Sequence, residues 1–259
     1  MHRLRSDFRL LILSAIIAGA FSTEARSTGI FEDAVGRAGF IYAPFNASAQ
    51  SRITVTDSDS TTASTVVFAL DFVVAHWFLL EVEQPYITAA IGQNEIESGF
   101  GDLRLRGHFR LWSKEHSRLT LSWELGTGTG TTKVIPYATQ ALEFVAGVAW
   151  VDTLNVLEYW GEIGYEYINR RPDDIIVERV LANFGRFSAG VAIPMGPLGL
   201  RLGTSILFND DRTRDHYFAQ LTFDRRPHFR FFGAAQIEGG KKEDRVADAT
   251  ASVGMVVYF

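Results

Sequence analysis

The chain has 259 residues, 47% of them hydrophobic and 21% charged, with a net charge of −5 at pH 7. That length holds one large domain, and an acidic balance without any Lys/Arg-rich run argues against nucleic acid as a partner. Cysteine is absent, which excludes disulfides, thiolate metal sites and a cysteine nucleophile.

The chain opens with Arg3, Arg5 and Arg9 against Asp7, and residues 10–21 are then apolar or small throughout. Small-residue cleavage patterns follow at Ala18-Gly19-Ala20 and Thr23-Glu24-Ala25. This is the layout of a secretory signal peptide, and an apolar run of about twelve residues is too short for a helix across a bilayer. Residues 1–25 are expected to be a signal peptide and 26–259 the mature domain. No later apolar run approaches the length of a transmembrane helix, so any membrane role must be carried by strands.

A first strand is expected near Val35–Ala47, although Gly36, Gly39 and Pro44 interrupt it. Residues 48–63 are rich in Ser, Thr and Asp and read as a loop. From there a period of two takes over. In 64–75, Val66, Phe68, Leu70, Phe72 and Val74 share a face opposite Asp71; a tight connection at His76-Trp77 leads to 78–88, where Leu80 and Val82 oppose Glu81 and Glu83. A polar loop is expected at 89–99. In 100–112, Leu103, Leu105, Phe109 and Leu111 oppose Arg104, Arg106, His108 and Arg110. In 117–126, Leu119, Leu121, Trp123 and Leu125 oppose Thr120, Ser122 and Glu124. The Gly/Thr-rich 126–131 lacks Gly-Lys-Ser/Thr and opens no helix, so it is not a phosphate cradle. Strand 138–151 sets Leu142, Phe144, Val148 and Trp150 against Glu143. In 155–168, Leu157, Tyr159, Ile163, Tyr165 and Tyr167 oppose Glu158, Trp160, Glu162 and Glu166. Further strands are expected at 179–193, 198–208, 215–224 and 228–237. The chain ends on 248–259, whose apolar face reads Phe259, Val257, Met255, Val253, Ala251, Ala249.

Three features favour a closed barrel over a soluble sandwich. Short connections near 76, 114, 153, 195 and 226 alternate with mostly longer polar ones, as in bacterial outer-membrane barrels. Strands of about ten to twelve residues exceed the usual sandwich strand and match a tilted membrane crossing. Aromatic residues, among them Trp77, Phe78, Trp112, Trp150, Phe223, Phe229 and Phe259, gather at the ends expected to face the periplasm. The expected fold is all-β: one antiparallel up-and-down transmembrane β-barrel of about twelve strands, or ten without the first, in the outer membrane of a Gram-negative bacterium. Ending on an aromatic strand resembles the closing strand of such barrels. The resemblance implies that Phe259, Val257, Met255 and Val253 form the signal read by the barrel-assembly machinery.

With the apolar face toward outer-membrane lipid, the other face lines the lumen. Its candidates are Glu81, Glu83, Arg104, Arg106, His108, Arg110, Glu124, Glu143, Glu158, Glu162, Glu166, Arg186, Arg201 and Arg230. Buried charges need partners or water. The set therefore reads either as a narrow wet passage or as a salt-bridged core filling a structural barrel whose loops bind or adhere. An outer-membrane hydrolase is a further alternative, but no Gly-x-Ser-x-Gly or His-Glu-x-x-His occurs. His216, near Asp210, Asp211 and Asp215, reads as a solvated loop tip. No catalytic residue, metal site or cofactor is expected.

Glu83-Gln84-Pro85-Tyr86, then Ser98-Gly99-Phe100-Gly101-Asp102-Leu103, then the Gly/Thr-rich 126–132, is similar to the outer-membrane transporter family linked to the meta-pathway of phenol degradation. The resemblance covers 65–259, although a Pro-Thr-Gly common near 126–131 is missing. It implies passage of small, hydrophobic or aromatic compounds through a channel or transporter, with Gly101 and Asp102 structural.

Overall fold

The alternation of apolar and polar side chains resolves into strands throughout a computed structural model that describes residues 47–57, 61–91, 95–114, 117–131, 141–155, 157–169, 183–208, 213–224, 228–239 and 249–259. Among these residues nothing is helical. The strands are β1 Ala47–Asp57, β2 Thr61–Ala75, β3 Phe78–Ile91, β4 Glu95–Phe100, β5 Arg104–Lys114, β6 Ser117–Thr127, β7 Leu142–Leu154, β8 Leu157–Ile168, β9 Phe184–Met195, β10 Leu198–Phe208, β11 Thr213–Asp224, β12 Phe229–Glu238 and β13 Ala249–Tyr258. All neighbours are antiparallel, and β1 pairs with both β2 and β13, which closes the sheet. β4 and β5 both pair with β3 and together form one stave, so the barrel has twelve staves. Closure leaves no edge of unpaired backbone groups, which is what hydrocarbon surroundings demand.

The break between β4 and β5 has a local cause. Pro85 stands in the middle of β3 and has no N–H to donate. Opposite it the ladder stops between Glu83↔Arg104 and Tyr86↔Phe100, so that three residues face two, as in a bulge. Gly101 N donates to Pro85 O at 3.0 Å, and a Cβ on Gly101 would lie 2.7 Å from Pro85 Cγ. The bulge turns Asp102 inward, where it is buried and its Oδ1 accepts from Gly130 N at 2.7 Å. The three stretches that carry the family resemblance thus meet at one corner of the wall.

The first strand is displaced from its expected place. β1 runs through residues read as a loop, pairing Ser48↔Tyr258 through to Asp57↔Ala249, and only residues 58–60 separate it from β2. Its inward face, Ser48, Gln50, Arg52, Thr54 and Thr56, is polar because it faces the interior. Its outward face, from Ala49 and Ser51 to Ile53 and Val55, is only mildly apolar, so composition alone resembles a loop. Residues 35–46, where the strand was expected, lie outside the described residues, as does the signal segment 1–25. The loop expected at 89–99 likewise shrinks, since β3 continues to Ile91 and β4 begins at Glu95. Long external connections therefore start only after β6.

The outward face carries two aromatic girdles. One, at the end where the chain's described part begins and finishes, contains Trp77, Trp112, Trp150, Tyr159, Phe223, Phe229, Phe231 and Phe259; the other contains Tyr86, Phe100, Phe144, Tyr165, Tyr167, Phe187, Phe208 and Tyr217. Between them lie exposed aliphatic and aromatic side chains such as Phe68 at 59% and Ile163 at 59%. Among the described residues, charges on this face stand only at or near strand ends: Asp57, Lys114, Asp152 and Asp215. A bulge between Arg110 and Trp112 lets Leu111 and Trp112 both face outward although they are adjacent in sequence. This is the exterior of a transmembrane barrel.

Candidate functional site

Strand alternation puts the charged residues on the inner wall, and the register decides which of them meet. Glu81 and Glu83 of β3 lie opposite Arg106 and Arg104 of β5, and Arg106 lies opposite Glu124 of β6. Arg106, at 0% exposure, is the hub. Its Nη1 donates to Glu81 Oε1 at 2.8 Å and to Glu83 Oε2 at 2.7 Å, and its Nε donates to Glu124 Oε2 at 2.5 Å. Arg104 lies 3.8 Å from Glu83, 3.5 Å from Glu124 and 3.9 Å from Glu143. Arg52 reaches across β2 and its Nη2 donates to Glu83 Oε2 at 3.3 Å. The result is a ladder along β1, β3, β5, β6 and β7 whose sign alternates as far as β6, with Glu124 of β6 and Glu143 of β7 both held by Arg104. Neighbouring opposite charges compensate the desolvation each suffers on burial.

The ladder continues with fewer contacts. Arg186 Nη2 donates to Glu162 Oε1 at 3.0 Å, and Glu166 is buried beside them on β8. His108 is buried, with Nδ1 and Ser122 Oγ 2.9 Å apart. Arg110, Glu158, Arg201 and Arg230 are only half-buried. Arg230 sits near the rim, where its Nε and Nη2 make a fork with Asp224 at 2.6 and 3.0 Å. Arg201 donates to Gln220 at 3.0 Å, and its guanidinium lies 5.6 Å above the Trp160 ring.

Several inward groups went unread in the sequence. Arg52 lies on the inner wall, as does Asp71, which the sequence places opposite the apolar face of its strand, and Ser48 Oγ donates to Asp71. His216 is not a loop tip: it faces the interior at 1% exposure, 3.8 Å from Glu238, which also lies inside rather than in a loop. The sign was available in the spacing, because Arg214, His216 and Phe218 alternate with Tyr217 and Ala219 as the rest of β11 does. Asp210 and Asp211 lie outside the described residues. Trp160 and Phe218 stack with ring centroids 5.7 Å apart although β9 and β10 separate their strands. Glycines make this contact: Gly190 and Gly203 face each other, and a Cβ on Gly203 would stand 2.6 Å from Phe218 Cζ and 2.7 Å from Trp160 Cη2. The indole therefore lies flat on bare backbone.

No protein-family model and no curated protein matches the chain. Solved structures do resemble it. An outer membrane channel from Pseudomonas putida F1 aligns with a TM-score of 0.65 at 12% identity, covering 83% of this chain and 96% of that one. The KdgM porin aligns with a TM-score of 0.56 at 8% identity, over 82% of this chain and 99% of its own. The β domain of the Bordetella autotransporter BrkA gives 0.53 at 10% identity, over 83% and 99%. At such identities the likeness is one of fold, shared by proteins of different function.

Proposed function

We propose that this barrel is a passive outer-membrane channel of a Gram-negative bacterium that passes small molecules. The supporting observation is a closed ring of strands, girdled and apolar outside, with charged and hydroxyl side chains inside. A barrel built only for anchorage has no need of charges within it, since an apolar interior is cheaper to form. Rows of opposite sign along a narrow passage shape which solutes cross it. The phenol-pathway resemblance implies hydrophobic or aromatic solutes.

Planar-bilayer recording of the refolded protein tests the reading. Discrete conductance steps are expected, and Arg104→Ala, Arg106→Ala or Glu162→Ala should change ion selectivity. Absence of both conductance and solute uptake from a folded, heat-modifiable barrel refutes it. One observation favours a second reading, a filled structural barrel: Arg106, Glu81 and Glu162 are fully inaccessible and tied in ion pairs, as core residues are. That reading predicts the silent barrel.

A further inference from the structure

Most charges on the inner wall are buried, but those at one end are not. Where short turns join the strands, Arg110, Arg118, Glu158, Arg201, Asp224 and Arg230 are only half-buried, and none lies more than four residues from the turn end of its strand. They follow the wall from β5 round to β12. The register puts them on the inner face: Arg110 pairs with buried Thr120, Arg118 with buried Val151, and Glu158 and Arg201 both with buried Ala192. Asp224 is held in a fork by Arg230 at 2.6 and 3.0 Å. Beyond that pair, the guanidiniums of Arg110, Arg118 and Arg201 stand against the single carboxylate of Glu158. The opposite end differs in sign: among the described residues its half-buried inward charge is Glu97, paired with buried Ala89. The other inward carboxylates described are each at 5% exposure or less, so a solute arriving at the turn end meets the arginines instead. Outer-membrane barrels keep their short turns on the periplasmic side.

We infer that the periplasmic mouth of the barrel is a basic vestibule that gathers small organic anions, carboxylates or phosphates, ahead of cations. Charges of one sign lining a mouth with low-dielectric walls focus the field and raise the local concentration of the opposite ion. Arginine suits the task, because it stays charged and its planar fork fits two oxygens of a carboxylate or phosphate. The vestibule needs no open passage behind it. The inference therefore goes beyond the channel reading and holds for a filled barrel as well.

The native chain has no cysteine, so a single introduced thiol reports on its own surroundings. Ser113→Cys places one directly opposite Arg118, and Thr222→Cys places one near Gln220, which accepts from Arg201 at 3.0 Å. Both native side chains are inward, uncharged and half-buried. Each variant is refolded in detergent, with heat-modifiable migration showing that it folded. Its reaction rates with an anionic and a cationic methanethiosulfonate reagent are divided by those of free cysteine. The anionic reagent should be favoured severalfold at both positions. Most of that preference should vanish when Arg118→Gln is added to Ser113→Cys, or Arg201→Gln to Thr222→Cys. Lys114→Gln, which removes a positive charge from the outward face at the same end, should leave it unchanged. Citrate should slow the anionic reagent severalfold at Ser113→Cys, and spermidine should not. A preference for the cationic reagent, thiols that react with neither, or a loss as large with Lys114→Gln as with Arg118→Gln overturns the vestibule. Absence of protection by citrate overturns the ligand class. Planar-bilayer recording keeps the two readings apart. A silent barrel that favours the anionic reagent removes the channel and leaves the vestibule, whereas a conducting barrel without that preference removes only the vestibule.

Discussion

Replacing Arg106 tests whether the ladder acts as a unit. Its guanidinium is fully buried and donates to three carboxylates, at 2.8, 2.7 and 2.5 Å. Arg106→Ala leaves Glu83 and Glu124 to Arg52 and Arg104, whose contacts with them are longer, from 3.3 to 3.8 Å. Removing one member of a buried ion pair costs about 3–5 kcal/mol, because the orphaned charge stays desolvated. The fork between Arg230 and Asp224 is a control on the same molecule. Those side chains are 35% and 44% exposed, and exposed pairs contribute about 0–1 kcal/mol. In urea titrations of the refolded barrel, followed by tryptophan fluorescence, a slope of about 2 kcal/mol per M converts the first loss into a midpoint shift of about 2 M. Asp224→Asn should move it by less than about 0.5 M. Arg106→Lys should fall between, since a single ammonium cannot reproduce the fork to several carboxylates. Adding Glu124→Gln to Arg106→Ala should recover part of the loss by removing an orphaned charge. The reasoning fails if Arg106→Ala unfolds with the same midpoint as Asp224→Asn.

Other expectations follow from single contacts. Gly203→Val should drive the Trp160 indole off its bed, at a cost of about 1–3 kcal/mol from overpacking, with a shift in tryptophan emission; unchanged emission and midpoint would contradict the stacking. Asp102→Ala should release Gly130 N and speed amide exchange there while the strands stay protected, because the carboxylate is its acceptor at 2.7 Å. If exchange at Gly130 does not change, the corner is held by its backbone bonds alone. Phe259→Ala should refold in detergent as well as the native chain, since the contacts of Phe259 with Ala47 are made by backbone atoms. In cells it should reach the outer membrane in smaller amounts; equal amounts would remove Phe259 from the assembly signal.

Much of the barrel was legible because its strands have unlike faces. In β8 every outward odd position is apolar or glycine, while Glu158, Glu162 and Glu166 share the inner side, and no soluble helix writes that period. The same logic failed at β1. There the outward residues are small and the inward ones are Ser, Thr and Gln, so the two faces differ too little to stand out. Pairing with β13 on one side and β2 on the other makes it a strand, and pairing is not a property of the segment itself. β4 shows a second limit: whether Pro85 ends a strand or bends it depends on Gly101 supplying the bond its carbonyl needs.

The strand period and the side of most strands that carries the charges could be read along the chain, because they follow from neighbours in sequence; the count stayed at twelve or ten, because the first strand lacks unlike faces. The folded barrel alone brings Arg106 to three carboxylates, carries Trp160 across two glycines to Phe218, and sets His216 3.8 Å from Glu238. Those contacts depend on register, and a shift of one residue between strands would carry each of these side chains to the opposite face.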